Sequence, residues 1–216
     1  MSNKNNIVII DPAINRPVYE SFNFISLITN SKVTYYMPAL FGSESLDSIE
    51  DMKGLIILGS AASVHDNFNW QLKIIKVLEY AIENKIPVLG ICYGHQLIAH
   101  IYGGRIEKLW GGEKKKGVRK VRLFHKPFNN ISNYTNLVYT HNEGVTDCPT
   151  DFEILASSKM CAIDGIISKS RLIYGFQPHI EATKQFFIEE NIITNQDTLV
   201  ISTNKEILLK FIGLIK

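Results

Sequence analysis

The sequence predicts an α/β fold, with a mostly parallel central sheet covered by helices on both faces and a small antiparallel β elaboration. Three features lead there. Short apolar runs alternate with longer amphipathic stretches through the first half, the pattern of strands feeding crossover helices. At residues 88–97, VLGICYGHQL, a glycine-flanked cysteine stands where an apolar run gives way to helix-forming residues. Beyond Gly103-Gly104 the apolar runs crowd together with turns between them, as antiparallel strands do.

Taken in order, residues 7–10 form the first expected strand, ending at Asp11-Pro12. Residues 33–37 and 54–58 form the second and third, the latter stopping at Gly59. Within 70–84, Leu72, Ile74, Ile75, Leu78, Ala81 and Ile82 recur at helical spacing, so this segment covers one face of the sheet. Pro87 opens a buried strand over 86–91, and a helix beginning near Tyr93 ends at the glycine pair. Residues 118–124, 137–140, 152–156, 162–167 and 172–176 are the closely spaced strands of the second half. The segments 182–190 and 205–215 read as helices, the latter with Ile207, Leu208, Phe211, Ile212 and Ile215 on one apolar face. No repeat, low-complexity tract or linker interrupts the chain, which predicts one domain over residues 1–216.

Composition narrows the function classes. With 216 residues, 45% of them hydrophobic, the chain is long enough to bury a core. A net charge of +2 gives no global pull toward nucleic acid or membrane, and neither is expected as a partner. The N-terminal MSNKNNIVIID lacks a long apolar segment, so a cytoplasmic address is expected. Cys92, Cys148 and Cys161 form no CxxC pair and read as reduced thiols. The sequons at Asn130 and Asn133 would matter only in a secreted chain. His95 and His100 are five apart and no HExxH occurs, so no metal site is expected. His65 and His125 carry no signal. Neither GxxxxGK[ST] nor GxGxxG is present, and no cofactor is expected. The basic run from Arg105 to Lys126, with Lys114-Lys115-Lys116 and Arg119-Lys120, reads as a solvated hairpin face, docking onto an acidic partner being the alternative.

The chemistry centres on Gly90-Ile-Cys92-Tyr-Gly94, which has the form of a nucleophile elbow, a sharp strand-to-helix turn that lifts the central side chain clear of the sheet edge. The turn also puts the sulfur at a helix N-terminus, whose unpaired N–H groups favour an anion. A packing role for a buried cysteine is the competing reading. What tips the balance is a base with its orienting group: the strand at 172–176 runs into Gln177-Pro178-His179-Ile-Glu181, which sets a histidine at a strand mouth with a carboxylate two residues on to hold its tautomer. Gly59-Ser60-Ala61-Ala62-Ser63 leaves the third strand through small residues, as an oxyanion loop or as a simple turn.

These pieces, in this order, resemble the class I glutamine amidotransferases, and GICYGHQLIA followed by its glycine pair looks most like the glutaminase subunit of GMP synthetases. The resemblance also takes in GSAASV, THNEGV, ASSKMCAIDGI and YGFQPHIE. It implies a flavodoxin-like sheet and a Cys92-His179-Glu181 triad that hydrolyses L-glutamine to glutamate and ammonia through a thioester. It implies N–H groups of Ser60 and Tyr93 as the oxyanion hole, and Gly59, Gln96, Asn142, Gly144 and Val145 around the substrate. His141 adjoins that substrate loop, or is a turn residue. With no ATP-binding motif in the chain, the ammonia acceptor is expected to be a separate ATP-dependent synthetase subunit. Two departures stand out: the family's Gln-Phe-His-Pro-Glu is here Gln177-Pro-His-Ile-Glu181, and the oxyanion loop has one glycine. They predict a displaced imidazole and a stiffer loop. Hydrolysis of another γ-glutamyl amide or peptide, or a non-catalytic regulatory chain of the same fold, are the alternative readings.

Overall fold

The computed structural model describes residues 5–128, 133–170 and 172–215. The sequon at Asn130 and the first four residues of the N-terminal segment lie outside them. In chain order the elements are β1 (Asn6–Ile10), α1 (Tyr19–Ile28), β2 (Lys32–Tyr36), α2 (Pro38–Phe41), β3 (Met52–Ile57), α3 (Asn69–Glu83), β4 (Val88–Ile91), α4 (Tyr93–Ile101), β5 (Arg105–Lys108), β6 (Lys115–Leu123), β7 (Tyr134–His141), β8 (Glu143–Asp147), β9 (Phe152–Ser158), β10 (Gly165–Ser168), β11 (Ile173–Phe176), α5 (Lys184–Glu189) and α6 (Asp197–Ile212).

Strands β2-β1-β3-β4-β11 pair in parallel, the doubly wound order in which ligands bind beyond the carboxyl ends of the strands. From β11 the same sheet continues antiparallel through β10, β9, β6 and β7. The expected elaboration therefore extends the sheet itself, and β5 with β8 adds a separate two-stranded ribbon.

The two faces can be read along β1, because successive side chains of a strand point to opposite sides. Ile7 and Ile9 join the core under α1 and α6, with Ile25, Ile207, Leu208 and Phe211. Val8 and Ile10 join the other core, under α3 and α4, with Ile74, Leu78, Leu97 and Ile98. Each such fully buried Ile or Leu contributes roughly 1.5–3 kcal/mol by leaving water. The helix expected over 70–84 is α3, and its buried Ile74, Leu78 and Ala81 are on the stripe that the spacing marks.

Helix α4 lies closest to the sheet, with Tyr93 to Ala99 all buried. The glycines of the elbow allow that approach. A Cβ on Gly90 would stand 2.4 Å from the Gly94 carbonyl oxygen, and one on Gly94 would stand 2.3 Å from the Ile57 carbonyl oxygen. Both clashes are with backbone, so neither is relieved by a rotamer change. Among the described residues no helix is long and apolar enough to cross a membrane, and no group of three or more His, Cys, Asp or Glu side chains could hold a metal ion.

Candidate active site

Cys92 caps β4 with φ +52° and ψ −102°, a backbone conformation that a residue with a Cβ adopts only when its surroundings impose it. The surroundings do so through hydrogen bonds. The Cys92 N–H donates to Phe176 O of β11 (2.8 Å), Gly94 N–H to Leu58 O (3.3 Å) and Gln96 N–H to Cys92 O (3.1 Å). Strand β4 thus ends between β3 and β11, and the sulfur opens on a cavity of about 400 Å³. Cys92 is 5% exposed, and what it shows to solvent lies on the wall of that cavity.

His179 and Glu181 line the same cavity. The segment after β11 is pinned by Gln177 N–H to Asp164 O (2.8 Å) and His179 N–H to Val138 O (2.8 Å). Pro178, the one residue here without an N–H, sits between these two bonds and costs the segment neither. The proline does not disrupt the pairing with the carboxylate, since His179 Nδ1 lies 2.8 Å from Glu181 Oε1. A carboxylate only accepts, so Nδ1 carries the proton and Nε2 is left for other chemistry. Nε2 is buried and has no hydrogen-bond partner among the described residues. Burial works against the imidazolium, but Glu181 and then Cys92 outweigh it and hold the His179 pKa well above its ordinary value.

Gly59 lines the cavity between the two reactive groups: a Cβ there would lie 2.9 Å from His179 Cε1 and 3.4 Å from Cys92 Cβ. The single-glycine loop that follows is held by its own side chains. Ser60 Oγ donates to Pro12 O (2.7 Å) and accepts from Ala62 N–H (3.1 Å), and Ser63 Oγ donates to Glu143 Oε2 (2.8 Å). From α3, Gln71 Nε2 donates to Ser63 O (2.7 Å) and to Tyr93 Oη (2.9 Å), tying the loop to the start of α4. The Tyr93 N–H belongs to the first turn of α4, where amides have no partner within the helix. Tyr93 itself packs away from the cavity in the core.

Gln96 and Asn142 line the cavity. Gly144 and Val145 do not. They pair with Glu107 and Ile106 in the β5-β8 ribbon, and Val145 joins the core under α4. The residue of this stretch that reaches the cavity is Glu143, the first residue of β8.

Several lining residues carry no motif. The loop after β1 is organised by buried Asp11, which accepts from Ala13 N–H (3.0 Å), Val18 N–H (2.8 Å) and Tyr35 Oη. It delivers Ala13 to Arg16 to the wall, where Arg16 is ion-paired with Glu189 of α5. Lys114 lies 3.5 Å from Glu190, and Lys116 donates to the Glu190 carbonyl (2.5 Å). Part of the basic run therefore holds the end of α5, and Lys115 pairs with Glu113 (2.6 Å).

His141, at the end of β7, is a buried cavity residue. Its Nδ1 is 2.8 Å from Glu143 O and its Nε2 is 2.9 Å from Arg119 Nη1. A carbonyl only accepts and a guanidinium only donates, so the ring is neutral with its proton on Nδ1. Burial first, then the Arg119 charge, outweigh the Glu143 carbonyl and push it down to about 4. Its neighbour His95, 0% exposed and packed on Gly175, is pushed down to about 3 by burial. Gln177 is a further residue that the sequence pattern does not single out: its Nε2 is 3.6 Å from Cys92 Sγ. The only available signal was its place two residues before the histidine.

The family model for glutamine amidotransferase class-I matches residues 26–195. Among curated proteins, a glutamine-hydrolyzing GMP synthase subunit of Methanocaldococcus jannaschii is 31% identical over 164 residues, 76% of this chain and 80% of the relative. The same subunit of Methanococcus vannielii is 31% identical over 147 residues, 67% of this chain and 74% of the relative. A glutamine amido transferase from Methylobacillus flagellatus superposes with a TM-score of 0.77 at 16% identity, covering 99% of this chain and 96% of that one; at that identity it speaks for the fold. With the matched segment running from α1 past α5, the chain belongs to the class I glutamine amidotransferase family.

Proposed function

We propose that this chain hydrolyses L-glutamine to glutamate and ammonia through a thioester on Cys92, and hands the ammonia to a separate ATP-dependent synthetase chain. The observation that carries this reading is one cavity wall bearing Cys92 at a left-handed elbow and a buried His179–Glu181 pair 2.8 Å apart. The imidazole held well above its ordinary value supplies a proton donor on the same cavity wall as the sulfur, the pairing that cysteine nucleophiles use.

The thiolate attacks the γ-carboxamide carbon, and negative charge gathers on the carboxamide oxygen. The N–H groups of Ser60 and Tyr93 are the donors for that oxyanion. The tetrahedral intermediate collapses as His179 Nε2 gives its proton to the departing nitrogen, so ammonia leaves and the γ-glutamyl thioester remains. His179, now neutral at Nε2, takes a proton from water. The new C–O bond forms, the C–S pair returns to sulfur, and glutamate is released with the ion pair restored. Glu181 keeps the proton on Nδ1 throughout and stabilises each imidazolium. The archaeal relatives named as GMP synthase subunits make GMP synthesis the acceptor reaction of choice.

The test is release of glutamate and ammonia from glutamine, compared with γ-glutamyl amines, in the presence of a cognate synthetase. Glutamine is expected as the preferred substrate, with at least about 10³-fold loss in Cys92→Ala. Preference for γ-glutamyl amines, or turnover unchanged in Cys92→Ala, overturns the proposal.

A further inference from the structure

We propose that Gln177 is a catalytic residue of this site: its side-chain amide donates to the Cys92 sulfur and stabilises it as an anion, both in the resting ion pair and when sulfur leaves the thioester. The inference rests on the thioester chemistry above, and goes beyond the triad and the oxyanion donors.

The direction of the amide follows from its neighbours. Gln96 Nε2 lies 2.8 Å from Glu143 O, and a backbone carbonyl can only accept, so the NH2 end of Gln96 is fixed on that side. The same Gln96 Nε2 is 3.1 Å from Gln177. Two NH2 groups would repel at that distance, so Gln177 presents its oxygen to Gln96 and its NH2 to the sulfur, 3.6 Å away. The Glu143 carbonyl is in turn shared with His141 Nδ1, whose other nitrogen faces Arg119. A continuous hydrogen-bonded chain thus runs from Arg119 through His141, the Glu143 carbonyl and Gln96 to Gln177 and the sulfur. Every donor and acceptor in it has one consistent assignment.

Burial gives the arrangement its chemical meaning. Gln177 is 0% exposed and is absent from the cavity wall, so it is not placed to bind substrate. A thiol sulfur is a weak acceptor, and burying a primary amide against one wastes a donor. A thiolate accepts strongly. In deacylation the pair of electrons leaving the C–S bond returns to that sulfur as water's proton passes to His179, and the Gln177 N–H is already in place for it. Gln96 is a positioning residue for this donor, acting through the oxygen of Gln177.

The proposal is tested without glutamine, by the rate at which iodoacetamide alkylates Cys92 in the full chain, read by mass mapping of the Cys92 peptide. Gln177→Met keeps the volume and removes the donor; Gln177→Glu keeps the shape and sets an oxygen against the sulfur. At about pH 7 each variant is expected to alkylate about tenfold more slowly than the parent, the scale of one lost charge-assisted hydrogen bond. At about pH 9.5, where free thiols are largely ionised, the rates should agree within about twofold. Gln96→Met, which leaves the sulfur untouched, should give a smaller loss of the same form. Parental rates at the lower pH, or equal losses at both, overturn the proposal. Because alkylation needs no glutaminase activity, a chain that behaves as expected here and hydrolyses no glutamine refutes the proposed function and leaves only the Gln177 hydrogen bond to the sulfur standing.

Discussion

At the scale of single residues, several glycines at the site leave no room for a larger group. Gly59 is the sharpest case. A methyl group there would enter the gap beside His179 Cε1, at 2.9 Å, and touch Cys92 Cβ, at 3.4 Å. The strain falls on a side chain that can turn aside, so overpacking costs stability about 1 kcal/mol while moving the imidazole from the sulfur. Gly59→Ala is therefore expected to lower kcat for glutamine at least about tenfold with a nearly parental urea midpoint, which steady-state kinetics and equilibrium unfolding check together. Cys92 and His179 were legible because each stands at an apolar-run boundary that any parallel sheet would turn into a loop mouth. Gln177 and Glu143 were not, since their roles depend on which atom of a distant residue they face: Gln177 meets a sulfur 85 positions away, and Glu143 is set by the register of a ribbon that sequence pattern leaves unseen.

At the scale of elements, legibility follows burial pattern. Strands β1, β3, β4 and β11 are apolar apart from Asn6 and the exposed Lys53 near the starts of β1 and β3, because helices cover both faces, and α3 carries a clean helical stripe. The ribbon strands β5 and β8 pair with each other at the protein surface, and RIEK and EGVTD hold too few apolar side chains to announce a strand. Helix α1 escaped for a related reason. Its buried residues are Ser21 and Ile25, and Val18 before it provides no side-chain cap. Helix α6 begins at Asp197, eight residues before the apolar stripe expected to open it, because Val200, Thr203 and Asn204 are buried as well. Asn204 Nδ2 donates to His179 O (3.3 Å) and Ala182 O (3.2 Å). The extra turns of α6 thus buttress the backbone of the histidine segment, a contact that periodicity does not encode.

At the scale of the whole molecule, the buried ionisable groups behind the cavity set the response to acid. Between about pH 7 and pH 5 the unfolded chain protonates His95 and His141 while the folded chain holds them neutral, at about 3 and about 4, which removes about 2 kcal/mol each. Asp164 works the other way. Burial pushes its carboxyl up to about 6, so the folded state takes a proton that the unfolded state does not, returning about 1 kcal/mol over the same interval. His179, held well above its ordinary value, stays protonated in the folded state across this interval, so its contribution is not lost on acidification and partly offsets the histidine cost. The net expectation is a loss of stability on going from pH 7 to pH 5, growing by about 1 kcal/mol in Asp164→Asn, both read from urea unfolding. Stability that rises toward pH 5 contradicts it.

The proposed nucleophile is Cys92, acting on a γ-glutamyl substrate in the cavity that it lines. Treating the protein with a diazoketone analogue of glutamine and mapping the adduct by mass tests it most directly. Stoichiometric modification of Cys92 is expected, slowed by added glutamine and absent in Cys92→Ala; adducts confined to Cys148 or Cys161, or labelling indifferent to glutamine, would contradict it.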